Sequence, residues 1–347
     1  MDAGVAWWPF VAVVGVGLVV ALIATPLAAA WGRHRGIVDR PGQRRWHRGE
    51  IPRTGGIALF VAFMTAALLA QWLPVPRQDP KEMVRFLGIV LGTTFLLVVG
   101  SIDDRFELRA APQYLAQVIA GLIAIVCLVF VERVMNPFTD ELTIFPYWFT
   151  VLFTLLWIVG MINTINLLDG LDGLAAGVGA IVSAILAIHM LREGQYSVAL
   201  LPLALLGATL GFLPSNFSPA KIFLGSGSLI LGYLIATLGI AAGAKLALLL
   251  LVLGIPIIDV AWLMVGRLRA GRSISQADRR HLHYRLLELG LSQRQVVLLY
   301  YAYCVVLGAA ALLIDSRLLK LITLVVLGIG TIAMLTWLAR GSLQKED

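Results

Sequence analysis

Read for hydropathy, the chain is a succession of long apolar stretches separated by short polar ones. Windows near the roughly 20 apolar residues that span a hydrocarbon core fall at about 5–30, 55–74, 84–101, 113–131, 146–163, 174–191, 196–213, 223–241, 245–264, 296–314 and 318–339. In lipid a helix satisfies its own backbone polar groups, so each window predicts a helix. The expected fold class is therefore all-α, a polytopic transmembrane helical bundle of about 11 spans, with 1–347 as one integral membrane domain. No internal repeat or low-complexity segment breaks the pattern. The start, Met1-Asp2 with no basic residue before a long apolar run, does not read as a cleavable signal peptide.

Composition strengthens this picture. The chain is 59% hydrophobic and 14% charged, with mean hydropathy +0.89. A soluble domain is about a quarter charged and could not bury so much apolar surface in one core. Cys127 and Cys304 lie inside apolar runs and read as packing residues. The net charge of +7 does not indicate a nucleic-acid partner, because the basic residues cluster in loops between apolar runs. Of the 27 Lys and Arg, 19 fall in one alternating set of loops, which contains Arg33–Arg53, Arg105, Arg109, Lys221, Arg267–Arg294, Arg340 and Lys345. The positive-inside bias makes that set cytoplasmic, the N-terminus periplasmic and the C-terminus cytoplasmic.

The unusual polar motifs all fall in the cytoplasmic set. Asp103 and Asp104 close the third window in Gly100-Ser-Ile-Asp-Asp-Arg105. Adjacent carboxylates at a helix C-terminus oppose the dipole and each other, so they favour a cation, although they can also simply end a helix at the water interface. Asn163, Asn166, Asp169 and Asp172 recur at every third position at the end of the fifth window. Gly170 and Gly173 let the backbone turn those carboxylates around a ligand. Two acidic loops on one face suit a hard, oxygen-seeking cation such as Mg²⁺, completed by substrate phosphates. No His/Cys set has zinc spacing. The loop at 265–295 is basic and contains His281, His283 and Arg285, side chains that bind phosphate or sugar, although a positive-inside loop accounts for Arg267, Arg269 and Arg272 equally well. The first cytoplasmic loop carries His47 and Arg53 before Gly55-Gly56 and would suit a lipid phosphate or any anionic leaflet.

With Pro52-Arg-Thr-Gly-Gly-Ile, Asp103-Asp104, Asn163…Asp169-Gly-Leu-Asp172-Gly-Leu, Phe212-Leu-Pro-Ser-Asn-Phe, Pro256-Ile-Ile-Asp259 and Asp278-Arg-Arg-His281-Leu-His283 in one chain, the sequence resembles the polyprenyl-phosphate N-acetylhexosamine-1-phosphate transferases over nearly its whole length. The basic loop ending in His-x-His is similar to the branch using UDP-N-acetylglucosamine and undecaprenyl phosphate, which serves O-antigen and other cell-envelope polysaccharides. The resemblance implies a bacterial inner-membrane enzyme that works at the cytoplasmic face with Mg²⁺ or Mn²⁺. Its partners would be a UDP-N-acetylhexosamine, undecaprenyl phosphate and membrane lipid, with no nucleic acid; a homodimer is left open. It further implies Asp103, Asp104, Asp169 and Asp172 as catalytic residues, with Asp104 and Asp172 on the metal. Asn163, Asn166, His281, His283, Arg285, Arg53, His47, Gly225 and Ser226 would bind substrate, with 265–295 as a recognition loop. Two departures stand out. The family writes Gly-Asp-x-Gly-Ser where this chain has Gly225-Ser226-Gly227-Ser228, so a metal-binding carboxylate is missing, and Tyr284 stands where a further His is common. Backbone N–H groups at Gly225–Ser228 could still hold phosphate at a helix start. A lipid or ion transporter, or a catalytically impaired homologue, is the alternative. Against transport, the acidic residues sit at span ends and no inverted repeat is present.

Overall fold

The structure is a computed structural model that describes residues 6–40, 49–77, 79–243, 245–269 and 281–343. The elements in order are α1 (Trp8–Arg35), β1 (Val38–Asp39), β2 (Ile51–Pro52), α2 (Gly55–Ala70), α3 (Glu82–Phe106), α4 (Ala110–Val126), β3 (Arg133–Met135), β4 (Leu142–Ile144) and α5 (Tyr147–Leu168). There follow α6 (Leu174–Arg192), α7 (Tyr196–Asn216), α8 (Gly227–Ala241), α9 (Leu246–Val252), α10 (Gly254–Arg269), α11 (Leu282–Glu288), α12 (Gln293–Leu313) and α13 (Arg317–Leu343). Among the described residues, 7 helices are long and apolar enough to cross a bilayer, and the α9–α10 pair, bent by 80°, adds an eighth if it is one span. Helices α2, α4 and α8 are apolar but shorter. The chain is a multi-pass membrane protein with an all-α bundle, and a helix lies at every hydropathy window. Two small antiparallel ladders, β1–β2 and β3–β4, lie in polar connections that hydropathy leaves unassigned.

The chain divides into two compact units. The first is Met1–Val134 with Thr143–Lys245. Here α1 packs against α7 through small residues, as lipid-embedded helices do when no hydrophobic driving force draws them together. A Cβ on Gly207 would stand 2.3 Å from the Val14 carbonyl oxygen, and one on Gly211 would stand 2.3 Å from that of Leu18. Helix α8 is the post of this unit, buried along its length and packed by α3 and α5. Near its middle Tyr233 fits against Gly92 of α3 and donates to the Gly88 carbonyl at 2.9 Å.

The second unit is Met135–Leu142 with Leu246–Asp347. Within it α9 packs on α12, and α10 on α13. The bend falls where Leu253 separates the two helices. Gly254 and Pro256 follow in the first turn of α10, and Pro256, with no N–H, suits a helix start better than a helix interior. Cys127 and Cys304 are free and buried, in keeping with a packing role.

Candidate active site

Three chain segments of the first unit meet at the start of α8. The Ser226 N–H donates to both oxygens of Asp104, at 3.0 Å to Oδ1 and 3.1 Å to Oδ2. A carboxylate is thus seated at the positive end of α8, where the helix dipole favours negative charge. The approach needs missing side chains. A Cβ on Gly100 would stand 2.4 Å from Ser226 Cβ, and Gly225, at φ +57°, would meet the Arg53 carbonyl oxygen at 2.1 Å and Asp104 Oδ1 at 2.8 Å. The next two amides close the turn, Gly227 N–H on the Leu224 carbonyl and Ser228 N–H on that of Gly225. At this helix start the Ser226 N–H, one of the amides that could hold a phosphate, is given to Asp104.

The segment from β2 through Arg53 is fixed to the same loop. Phe223 N–H donates to the Pro52 carbonyl at 2.8 Å, and Gly55 N–H donates to the Phe223 carbonyl at 3.1 Å. Arg53 bridges Asp39 at 2.5 Å and Glu107 at 3.1 Å, and its charge also reaches Asp104.

The second acidic turn arrives from α5. Asp169 caps that helix and Gly173, in the left-handed region, turns the chain into α6. Asp172 Oδ2 accepts from the Ala220 N–H at 3.1 Å, which ties the turn to the loop before α8. Ser228 Oγ lies 2.8 Å from Asn166 Oδ1 and 2.9 Å from the Gly225 carbonyl. Asp169 is partly buried at the end of α5, and its carboxyl is held well above the usual carboxylate range by burial first, then by the charges of Asp172 and Asp104. Carboxyl groups from α3 and from the α5–α6 turn, far apart in sequence, therefore share one electrostatic neighbourhood. Asp103 points into its own turn, where Oδ1 accepts from Leu108 N–H at 2.8 Å and Gln113 Nε2 at 2.9 Å. Asn163 is buried and donates to Gln117 Oε1 at 2.6 Å and to the Val159 carbonyl at 2.8 Å, joining α5 to α4.

In the second unit, His281 and His283 are both buried, with rings stacked 5.5 Å apart at 8°. Arg285 donates to the Leu335 carbonyl at 3.3 Å. His47, Asp278, Arg279 and Arg280 lie outside the described residues.

Comparison with known proteins now bears on this geometry. The sequence pattern of glycosyl transferase family 4 matches residues 86–243, the stretch that supplies the four aspartates and Ser226. A Bacillus subtilis protein named "Probable undecaprenyl-phosphate N-acetylglucosaminyl 1-phosphate transferase" is 34% identical over 87% of this chain and 84% of its own length. This chain belongs to glycosyl transferase family 4. The family member is also 32% identical to the decaprenyl-phosphate N-acetylglucosaminephosphotransferase of Mycobacterium tuberculosis, over 91% of this chain and 87% of that one. It is 31% identical to the undecaprenyl-phosphate alpha-N-acetylglucosaminyl 1-phosphate transferase of Haemophilus influenzae, over 84% of this chain and 83% of that one.

For a family 4 member, the donor chemistry around Asp169 is what a hard cation needs. Among the described residues no three His, Cys, Asp or Glu side chains form a ready-made cluster. Carboxyl groups that repel one another are oxygen donors of the kind a hard cation shares with substrate phosphates. Sequence reasoning missed Gln117, Gln113 and Ala220, which hold Asn163, Asp103 and Asp172. Nothing local marks them, because their partners lie 46, 10 and 48 residues away.

Proposed function

We propose that this family 4 member is an enzyme that transfers N-acetylhexosamine-1-phosphate, GlcNAc-1-phosphate in the first instance, from a UDP-sugar to undecaprenyl phosphate. It acts at the cytoplasmic face of a bacterial inner membrane, and UMP leaves. The observation that carries this reading is that Asp104 and Asp172, far apart in sequence, are both held by backbone amides of the segment leading into α8, in a chain whose relatives bear polyprenyl-phosphate transferase names.

In the reaction an oxygen of the lipid phosphate forms a bond to the sugar-linked phosphorus, and the bridging P–O bond breaks, with its electron pair leaving on UMP. One phosphoanhydride replaces another, so rate enhancement rests on positioning and charge neutralisation. Asp104 and Asp172 would hold Mg²⁺ or Mn²⁺, which neutralises diphosphate charge when bound. The Ser226 N–H holds Asp104 in place, so a backbone amide orients this carboxylate. Asp169 and Asn166 order the polar floor beneath the substrate. Asp103, turned towards Leu108 and Gln113, would position the lipid phosphate from the end of α3. His47, Arg53, His281, His283 and Arg285 would supply donors to the two anionic substrates.

The test is direct. Purified protein in detergent with UDP-GlcNAc, undecaprenyl phosphate and Mg²⁺ should release UMP, and Asp172→Asn should abolish the release. No UMP above background with any UDP-N-acetylhexosamine and any divalent ion would overturn the reading in favour of an inactive homologue or a transporter.

A further inference from the structure

Asp259 has no part in the reaction drawn above, yet it is a buried carboxylate held from two sides. It lies on α10 with its side chain 5% exposed. Its Oδ2 is 2.9 Å from His281 Nδ1, and its Oδ1 accepts from the Leu282 N–H at 3.0 Å. Both bonds come from the start of α11, so one carboxylate fixes the ring and the backbone beneath it. A carboxylate only accepts, so the proton sits on Nδ1 and the opposite nitrogen faces away from Asp259.

That opposite nitrogen, Nε2 of His281, is buried and has no hydrogen-bond partner among the described residues, and Nε2 of the stacked His283 is in the same state. A buried polar atom left unpaired costs about 1–3 kcal/mol. Two of them on adjacent, well-held rings mark a place where a bound molecule completes the bonding. Burial first, and then His281, push His283 down to about 3, so that ring stays neutral. His281, by contrast, has the Asp259 carboxylate against its ring.

We propose that Asp259 is a positioning residue for the donor substrate: it holds His281 by Nδ1–H and so presents Nε2–H to a phosphate oxygen of the nucleotide sugar. The inference rests on the function proposed above and adds a residue to it. Giving Nδ1–H to Asp259 and Nε2–H to a phosphate oxygen at once requires both ring protons, and the Asp259 carboxylate offsets their charge. Replacing His281 by Gln keeps an N–H donor near the Nε2 position but makes no use of the support at Nδ1.

The experiment is a double-mutant cycle on the full-length protein, with UMP release measured against each substrate in turn. Asp259→Asn should raise the KM for the UDP-sugar about 10-fold or more, the scale of a hydrogen bond to a charged group, and leave the KM for undecaprenyl phosphate unchanged. In a His281→Gln background the same substitution should change the donor KM by less than about twofold. Asp259→Glu, which keeps the charge, should recover part of the loss and serves if Asp259→Asn does not fold. An equal effect in both backgrounds, or an unchanged donor KM, overturns the positioning role. Failure of the unaltered protein to turn over any UDP-sugar is a different result and sinks the proposed function itself.

Discussion

Gly100→Ala is the most economical way to test whether Asp104 is held by the start of α8. The new methyl carbon would stand 2.4 Å from Ser226 Cβ. Carbon atoms in good contact sit about 3.5–4.0 Å apart, so α3 and the 225–228 turn must separate by about 1.1–1.6 Å. Ser226 Cβ is fixed to the backbone and cannot swing aside as a side-chain tip could. The same displacement stretches the Ser226 N–H contacts to Asp104, now 3.0 and 3.1 Å, beyond hydrogen-bond range. Overpacking costs about 1–3 kcal/mol. The larger consequence is kinetic, because about 1 Å of misplacement at a reacting centre can lower the rate by about 100-fold. The assay is UMP release at saturating substrates, with thermal unfolding in the same detergent as a control for folding. Ser226→Gly removes the atom that collides but keeps the N–H, so the double variant Gly100→Ala/Ser226→Gly should recover at least about 10-fold of the lost activity. Activity within twofold of the unaltered protein for Gly100→Ala, or a double variant as impaired as the product of the two single effects, would refute the reasoning.

Other predictions rest on neighbouring observations. Asp169→Asn should abolish turnover and yet raise the melting temperature by about 2–4 °C at a pH high enough to ionise the carboxyl, because it keeps neutral a group whose charge is opposed by burial, Asp172 and Asp104. The Asp169 carboxyl is raised from 3.8, so the folded state binds the extra proton. Its contribution to stability is full below that value and is lost as pH rises through the folded-state pKa. Acid-to-neutral melting curves of the cation-free protein should show this fall, and it should vanish in Asp169→Asn. Arg53→Ala should destabilise the protein by about 3 kcal/mol, since it leaves Asp39, with a side chain 7% exposed, without its guanidinium; a denaturant titration reads the loss. Asn163→Ala should cost about 1–3 kcal/mol by orphaning buried Gln117, whereas Asn163→Leu/Gln117→Leu should restore stability. If Asn163 is a structural clamp, that double variant also keeps its donor KM.

Much of the bundle was legible because lipid imposes one rule on every span, and a helix lies at each apolar window. Hydropathy carries no direction, however, so the single window at 245–264 did not reveal the 80° bend that the structure places around Leu253. Nor did it anticipate that Val38–Asp39 and Ile51–Pro52 pair as strands within a polar connection. At the site, the Gly-flanked aspartates of the α5–α6 turn declared themselves through residue type and spacing. The absent acid at Ser226 was also visible, but its structural meaning was not. Only the three-dimensional arrangement brings that residue's amide to Asp104 across 122 positions of sequence. Asn163 shows the same limit from the other side. A polar residue in a slanting stripe with Asn166 reads as a ligand until its amide is found on Gln117.

Helix α3 is bolted to α8 at two levels, by Tyr233 at Gly88 and by Ser226 at Asp104. Those levels are 16 residues apart, about 24 Å along the axis. Sliding α3 by a single residue would advance it about 1.5 Å and rotate it about 100°, which would unseat both fastenings together. The acidic end of this helix is therefore a fixed anvil, and any adjustment of the site falls to the connections around it.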